Sequence, residues 1–295
     1  MIRKKTWVCI FCLLFLVCLS GCSNSPAEKT AEDKLIIYTS FYPLYDFSKK
    51  IAGDKAEVIN MVPVGVEPHE WEPTTKDIVN LNNADLFVYN GLSMEQWADK
   101  VINSLQGKKP QCVETAAGLS ADGLDPHIWL NPLLAAEQMK KIKEALCQID
   151  PANAKQYEQN YAENKALLEK LDEEYKEGLA LCQKKELIVA HQAFGYLCKA
   201  YGLKQIAIQG LSAESEPNPK HIKEIIDFIK ANRIKIIFGE ELVSPKLTAS
   251  LAQEAGCKVE ILNTLEGLSQ EEQNEGKEYF AVMRDNLKKI KAALQ

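Results

Sequence analysis

Residues 151–182 read PANAKQYEQNYAENKALLEKLDEEYKEGLALC, a run rich in Glu, Lys, Ala and Leu. Its apolar residues recur at steps of three, four or seven, at Ala154, Tyr157, Tyr161, Leu168, Leu171 and Tyr175. This spacing places them on one face of an α-helix, and Pro151 suits the first turn of that helix. The stretch predicts one helix of about 28 residues, about 40 Å long at about 1.5 Å per residue. The alternative is two shorter helices with a break near Gly178.

Short apolar runs lie on both sides of this helix, four before it and four after it. They are LIIYT (35–39), VINMV (58–62), LFVYN (86–90) and the neighbours of Val113, then LIVA (187–190), QIAIQ (205–209), IKIIFG (234–239) and KVEIL (258–262). Helical stretches separate the runs, and this alternation is typical of parallel sheets covered on both faces. The predicted fold is α/β, with two similar lobes, each a parallel β-sheet flanked by helices, joined by one long α-helix. The predicted boundaries are 35–150 for the N-terminal lobe, 151–182 for the linking helix and 183–295 for the C-terminal lobe.

The N-terminal segment has the pattern of an export signal followed by a tether. Arg3, Lys4 and Lys5 precede an uncharged run, whose apolar part of roughly 14 residues is too short to span a bilayer. The run ends in LSGC at 19–22, which resembles the bacterial lipobox and implies a lipid on the sulfur of Cys22. Residues 1–21 are therefore predicted to be a lipoprotein signal peptide and 22–34 a flexible tether, which would hold the protein on the extracytoplasmic face of the cell membrane. The alternative is an uncleaved signal anchor.

The charge balance argues against a nucleic-acid partner. The chain has 41 acidic and 35 basic side chains, which gives a formal net charge of −6. Loss of the signal segment would remove basic residues and make the balance more negative. Binding to nucleic acid requires a basic surface, so we expect no such partner.

Five of the nine cysteines follow Cys22, at positions 112, 147, 182, 198 and 257. No two of these five have the spacing C-x-x-C, so a zinc site made of thiolates is not expected. Export from the cytoplasm permits disulfides, and the odd number leaves at least one thiol free or paired with another chain. The sequence does not determine any pairing.

Three of the four histidines and one glutamate come directly after predicted strands. His69 lies in EPHEWEP after the second strand, His127 lies in DPHIWLNP after the fourth, His191 follows LIVA, and Glu266 follows the last strand. Open α/β sheets bind ligands beyond the carboxyl ends of their strands, so we expect all four residues in the cleft between the lobes. Three imidazoles and a carboxylate form a four-coordinate set that suits Zn²⁺, although imidazole also binds copper, nickel and iron. The alternative is that each histidine is solvated, as we expect for His221 on a predicted helix.

Prolines and tryptophans flank two of these histidines. A proline precedes His69 and another precedes His127, which limits the backbone freedom of both turns. Trp71 and Trp129 each follow two residues later and are placed to pack against the imidazole rings. Both features favour a fixed geometry for the two histidines.

The sequence resembles the zinc/manganese family of metal-binding, solute-binding lipoproteins of ABC importers, whose two lobes are joined by a rigid helix. The motifs that carry the resemblance are LSGC, VGVEPHEWEPTTKDI, DPHIWLNP, VAHQAFGYL, GLSAESEPNPK, FGEELVSPK and LNTLEGL, in family order over nearly the whole mature chain. The resemblance implies a monomer without enzyme activity that captures a metal ion between its lobes and delivers it to a membrane permease. It also implies that His69, His127 and His191 are the first three metal ligands.

The fourth ligand departs from the pattern of many members, which carry an aspartate in a motif LDPL. Here the corresponding stretch is LNTLE, with Asn263 and Thr264, and an amide is a poor replacement for a carboxylate at a dication. Glu266 resembles the glutamate of a variant branch, and we assign it as the fourth ligand. Asn263, Glu240 and Trp129 are expected to surround the ligands.

The resemblance favours zinc over manganese as the transported ion. Manganese-binding members carry a carboxylate where this sequence has His191, and a nitrogen at this place favours Zn²⁺ over Mn²⁺. The long histidine-rich loop of some zinc members is missing, because no further histidine lies between His69 and His127. The alternatives are a manganese or mixed-metal binding protein and a surface adhesin. A zinc hydrolase is not expected, because four protein ligands leave no position for a catalytic water and neither Glu70 nor Glu72 lies in a motif H-E-x-x-H.

Overall fold

The two predicted sets of strands form two separate parallel sheets in the computed structural model, which describes residues 34–107, 109–120, 125–213, 215 and 217–295. The predicted signal peptide, Cys22 and the predicted tether up to residue 33 lie outside the described residues. None of the helices in the described ranges is long and apolar enough to cross a membrane.

The first sheet has the strand order β2-β1-β3-β4, with every pair parallel. Its elements in chain order are β1 (Leu35–Thr39), α1 (Tyr42–Ala52), β2 (Ala56–Asn60), α2 (Thr75–Asn82), β3 (Leu86–Tyr89), α3 (Ala98–Ser104) and β4 (Gln111–Glu114). A 3₁₀ turn (Ile128–Leu130) and helix α4 (Pro132–Ile149) follow. Leu86, Phe87 and Val88 are all buried in β3, as expected of a central strand that is covered on both faces.

The second sheet repeats this arrangement, with the order β6-β5-β7-β8 and parallel pairing throughout. Its elements are β5 (Glu186–Val189), α6 (Gly195–Ala200), β6 (Lys204–Ala207), α7 (Pro219–Asn232), β7 (Ile236–Gly239), α8 (Lys246–Ala255), β8 (Lys258–Ile261), α9 (Gln270–Asn274) and α10 (Tyr279–Leu294). The α/β prediction with two similar halves is therefore confirmed, and all eight predicted strands are present.

Helix α5 (Ala154–Ala180) lies between the two sheets in the chain, and its 27 residues form one uninterrupted helix. The alternative of a break at Gly178 is wrong. A Cβ added at Gly178 would lie 3.2 Å from a methyl carbon of Leu287 in α10, so the glycine allows close helix packing. Pro151 was expected in the first turn of this helix, but it opens a separate 3₁₀ turn (Pro151–Asn153) before it.

One hydrophobic core extends through both halves of the molecule. Phe41 from the first half packs edge-on against Trp129, and Phe194 and Leu262 of the second half belong to the same buried cluster. The last helix returns to the first half, where Tyr279 packs against Phe47 with their ring centroids 4.9 Å apart. Leu35–Gln295 accordingly forms one compact unit, and the predicted lobe boundaries stay a prediction.

The five cysteines of the described residues are free thiols, of which Cys182 and Cys198 are buried. Burial raises the pKa of Cys198 to about 12, so this side chain is a small apolar group within the core.

Candidate metal centre

The structure brings the four predicted ligands together beyond the carboxyl ends of both sheets. One side-chain atom from each of His69, His127, His191 and Glu266 lies within 4.8 Å of all the others. The Nε2 atom of each histidine faces the Oε1 atom of Glu266, at 3.2 Å for His69, 2.9 Å for His127 and 3.3 Å for His191. The Nε2 atom of His127 is also 3.2 Å from the Nε2 atoms of both other histidines.

These separations correspond to the edges of a small tetrahedron. A tetrahedral zinc ion with bonds of about 2.0–2.1 Å has ligand atoms about 3.3 Å apart. Five of the six edges between the four atoms measure 2.9–3.3 Å. The side chains of His127, His191 and Glu266 are almost fully buried, so this geometry is held by the protein interior.

His127 is fixed by the turn that carries it. The Oδ1 atom of Asp125 accepts hydrogen bonds from the backbone N–H of His127 at 3.0 Å and from its ring Nδ1 at 2.7 Å. The amide of Asn90, at the end of β3, donates to the main-chain oxygen of Pro126 at 3.0 Å. The ring of Trp129 packs against that of His127 with centroids 5.3 Å apart, as predicted. The Nε2 atom of His127 is therefore the one that remains available to a metal ion.

His191 is held in the same manner from the other half. It follows β5 directly, and Glu240 follows β7, the neighbouring strand. Glu240 accepts from the backbone N–H of His191 at 2.9 Å with one oxygen and from its Nδ1 at 2.6 Å with the other. A carboxylate in this position orients the ring and increases its basicity toward a metal ion.

His69 lies on a surface loop after β2, and its contacts differ from those of the other two histidines. Both carboxylate oxygens of Glu67 lie 3.1 Å from its backbone nitrogen. The loop contacts the second half through the backbone N–H of Gly65, which donates to the oxygen of Leu268 at 3.0 Å. Trp71, expected against the ring of His69, packs edge-on against Trp97.

Glu266 lies on the loop between β8 and α9. Its Oε2 atom accepts a hydrogen bond from the Thr264 hydroxyl at 2.9 Å, which leaves Oε1 directed at the three histidines. Leu265 has a positive φ of 59°, a conformation that side chains other than glycine adopt at a cost of about 1–2 kcal/mol. The amide of Asn263 does not point to the histidines but bonds to Glu272 and to the backbone of Leu265.

The electrostatics of the site balance one carboxylate against the imidazoles. Burial alone would lower the pKa of His191, but the charge of Glu266 and hydrogen bonds with Glu240 and Glu266 hold it well above 6.5. Burial also opposes protonation of His127, whose hydrogen bonds with Asp125 and Glu266 raise its pKa. Burial would raise the pKa of Glu266, but the charge of His191 and the hydrogen bonds of the histidines lower it well below 4.5. The site therefore favours positive charge beside Glu266, either as protons on the imidazoles or as a bound cation.

Sequence reasoning missed the residues that orient the three histidines, apart from Glu240 and Trp129. Glu67 and Asp125 each accept from the backbone N–H of the histidine two positions later, and a proline stands between acid and histidine in both cases. The signal was therefore present in the sequence as the repeated pattern acid-Pro-His. His221, expected to be solvated, lies on α7 with a half-exposed ring, and its Nε2 contacts the oxygen of Ala207.

Comparisons with known proteins agree with this arrangement. A family model described as ZnuA, zinc-uptake complex component A, periplasmic, matches residues 37–293. The chain is 40% identical to the high-affinity zinc uptake system protein ZnuA of Bacillus subtilis (strain 168), over 100% of this chain and 99% of that protein. It is 38% identical to the zinc-binding lipoprotein AdcA of Streptococcus pneumoniae (strain ATCC BAA-255 / R6) over 95% of its length, but it spans only 58% of AdcA.

A solved structure extends the comparison to three dimensions. The Zn(II)-bound ZnuA-like domain of Streptococcus pneumoniae AdcA is similar with a TM-score of 0.80 at 38% sequence identity. The similarity covers 89% of this chain and 99% of that domain, so it includes both sheets and the long helix.

Proposed function

Because this chain belongs to the family of periplasmic zinc-uptake components, we propose that it captures Zn²⁺ outside the cytoplasm and delivers it to the membrane permease of an ABC importer. The family consists of solute-binding proteins, and the chain is accordingly a carrier and not an enzyme. Zinc is its transported ligand.

The observation that carries this proposal is the set of four donor atoms, three imidazole nitrogens and one carboxylate oxygen, at tetrahedral separations. His69, His127, His191 and Glu266 would coordinate Zn²⁺ directly, with Asp125 and Glu240 orienting two of the rings. Four protein ligands complete the coordination of zinc, which suits capture and leaves no position for a catalytic water. Two ligands come from each half, so the bound ion would link the halves.

The same function requires the protein to stay close to its permease. The LSGC pattern supports a lipid on Cys22, and the relative from Streptococcus pneumoniae is named a lipoprotein. A single lipidated residue with a tether up to residue 34 would hold the protein on the extracytoplasmic face of the membrane. Cys22→Ala should release the protein from the membrane fraction, and retention equal to that of wild type would contradict the anchor.

Zinc uptake is favoured over the two alternatives, a manganese carrier and a surface adhesin. A nitrogen-rich site prefers Zn²⁺ to Mn²⁺ by the general affinity order of divalent metals. The family model and the two relatives described above are named for zinc, which supports uptake and not adhesion as the main role.

The test combines metal analysis with a growth experiment. Protein purified without added metal should contain close to one zinc ion, and Zn²⁺ should displace Mn²⁺ in a competition titration. Cells that lack this protein should grow poorly under zinc limitation, and the wild-type gene but not His127→Ala should restore growth. Equal affinity for the two metals, or full rescue by His127→Ala, would contradict the proposal.

A further inference from the structure

The loop that carries Glu266 is fixed by a polar network with residues of helices α9 and α10. The backbone N–H of Asn263 donates to the side-chain oxygen of Asn286 at 3.0 Å, and the amide of Asn286 donates back to the oxygen of Asn263 at 2.7 Å. The amide of Asn263 donates to both carboxylate oxygens of Glu272, at 3.0 and 3.2 Å. Asn263, Glu272 and Asn286 are all buried, which makes each of these hydrogen bonds costly to lose.

This network controls the direction of the chain just before Glu266. The side-chain oxygen of Asn263 accepts from the backbone N–H of Leu265 at 2.7 Å. Leu265 is the residue with positive φ, and its side chain is fully buried in the core. By accepting this hydrogen bond, Asn263 holds the positive-φ residue of the loop, which turns the backbone so that Glu266 enters the candidate metal site.

The chemistry of the network requires an amide at position 263. The side chain of Asn263 donates on one side to Glu272 and accepts on the other side from Leu265. An aspartate has no donor and would place a second carboxylate at about hydrogen-bond distance from Glu272 in a buried environment. Glu272 is needed elsewhere as well, because it accepts from the backbone N–H of Ser269 at the start of α9.

We propose that Asn263, Glu272 and Asn286 are positioning residues that make Glu266, and not residue 263, the carboxylate ligand of the site. Glu272 selects an amide at position 263, Asn286 fixes the backbone of that residue, and the amide sets the turn at Leu265. This inference rests on the proposed zinc function. It adds to that function the hydrogen-bond network that determines which loop residue reaches the ion.

A double-mutant cycle tests whether Asn263 acts through Glu266. Asn263→Ala should weaken zinc binding by about 10–100-fold, the usual effect of losing an outer-sphere partner. The same change in a Glu266→Gln background should cost less than about 3-fold, because the group that Asn263 positions is already gone. A purely structural role would cost the same factor in both backgrounds, and equal factors would overturn the proposal.

Co²⁺ gives a spectroscopic readout of the same question. Wild-type protein loaded with Co²⁺ should show the intense visible bands of a four-coordinate ion. Asn263→Ala should shift and weaken these bands toward the spectrum of Glu266→Gln, because both variants lose the same ligand. A wild-type Co²⁺ spectrum for Asn263→Ala would contradict the proposal even if its zinc affinity fell.

An exchange of donor and acceptor keeps the test decisive if Asn263→Ala does not fold. Asn263→Asp should bind zinc weakly, and Asn263→Asp combined with Glu272→Gln should recover much of the affinity, because the new amide can donate to the new carboxylate. A double variant no better than Asn263→Asp would overturn the proposal.

The matched control is Asn218→Ala, which removes the N-cap of α7. The side-chain oxygen of Asn218 accepts a hydrogen bond from the backbone N–H of Lys220 at 2.9 Å. This control should lower thermal stability and leave zinc affinity unchanged.

The two proposals fail in different ways. If wild-type protein does not bind zinc, the proposed function is wrong. If wild type binds zinc but Glu266→Gln has no effect on binding, Glu266 is not a ligand and the positioning proposal is refuted. If wild type binds tightly and Glu266→Gln weakens binding while the Asn263 variants behave like wild type, only the positioning network is refuted.

Discussion

Trp129 donates its indole N–H to the main-chain oxygen of Thr264, 2.8 Å away, and so joins the turn that carries His127 to the loop that carries Glu266. The main-chain oxygen of Trp129 in turn accepts a hydrogen bond from the hydroxyl of Tyr279 at 2.6 Å. The turn of His127 and the loop of Glu266, which come from the two halves of the chain, are thus connected by hydrogen bonds of residues other than the four in the candidate metal centre. We therefore expect the relative position of the two halves at the site to depend on these hydrogen bonds.

Trp129→Phe should separate this bond from the packing of the ring. Phenylalanine keeps an aromatic ring beside His127 but leaves the oxygen of Thr264 without its donor, which should cost about 1–3 kcal/mol of stability. We expect zinc affinity to fall by about 10-fold, as for other outer-sphere contacts. Calorimetry with a competing chelator measures the affinity, and thermal unfolding of the metal-free protein measures the stability. Trp97→Phe is the control, since Trp97 packs against Trp71; an equal loss of affinity there would refute the role of the indole N–H.

The two acid-Pro-His turns should respond differently to loss of their acids. Asp125 bonds to the ring and the backbone of His127, whereas Glu67 lies within bonding distance of the backbone nitrogen of His69. Asp125→Asn should therefore weaken zinc binding by about 10–100-fold and Glu67→Gln by clearly less. Titration of both variants against the same chelator checks the order. A larger effect of Glu67→Gln would show that the ring contact of Asp125 is not what orients His127.

Zinc affinity should fall as the pH falls, and it should begin to do so above pH 6.5. The pKa of His191 lies well above 6.5 in the metal-free site because the charge of Glu266 and the hydrogen bond with Glu240 outweigh the effect of burial. Protons therefore compete with Zn²⁺ from near neutral pH downwards, at about tenfold in affinity per pH unit for each proton displaced.

Calorimetry in buffers of different ionisation enthalpy measures this proton release directly near neutral pH. The affinity is then compared at about pH 7.5 and about pH 5.5, on either side of the ordinary histidine value. His221→Asn, which removes the one histidine outside the four-residue cluster, should behave like wild type at both pH values. Binding without proton release and with equal affinity at both pH values would falsify the buried three-imidazole site.

His191→Glu should narrow the preference for zinc over manganese. The substitution replaces one of three nitrogens by an oxygen, and Mn²⁺ accepts oxygen ligands more readily than Zn²⁺ does. It also places a new carboxylate near Glu240, whose present partner is the ring of His191. A competition titration of the two metals on wild type and variant measures the change. An unchanged ratio would mean that the size of the site, and not its nitrogen content, sets the preference.

The sequence allowed the strands and the residues of the candidate site to be predicted. It did not allow the exact bounds and pairing of every strand to be predicted. β1 was predicted correctly at residues 35–39, whereas β2 was expected at 58–62 and lies at Ala56–Asn60. The ladder begins where Leu35 pairs with Ala56, and the buried residues Met61 and Val62 extend the apolar run beyond it. An apolar run indicates which residues are buried. The ends of a strand depend instead on its hydrogen-bonding partners, which are distant in the sequence.

The four residues of the candidate site were accessible to sequence reasoning, because strand ends, residue types and the family motifs together indicated them. The network around Asn263 was not, since Glu272 and Asn286 approach it from two helices, and such contacts leave no periodic signal in the sequence. Asn263 was expected beside the ligands, because it stands in the stretch where many members of the family carry an aspartate ligand. In the structure its side chain bonds to Glu272 and to the backbone N–H of Leu265.

Helix α5 contacts both halves along its length, through Asn160 to the oxygen of Ile51 and through Tyr175 to the oxygen of Met283. Together with the shared core, it makes a wide rotation of the halves costly, because apolar surface exposed to water costs about 25 cal/mol per Å². We therefore expect the outline that this protein presents to its permease to change little between the loaded and the empty state. A receptor that has to recognise only loaded carriers must therefore read the surface loops beside the ion, of which the segment around His69 is one, and not the angle between the halves.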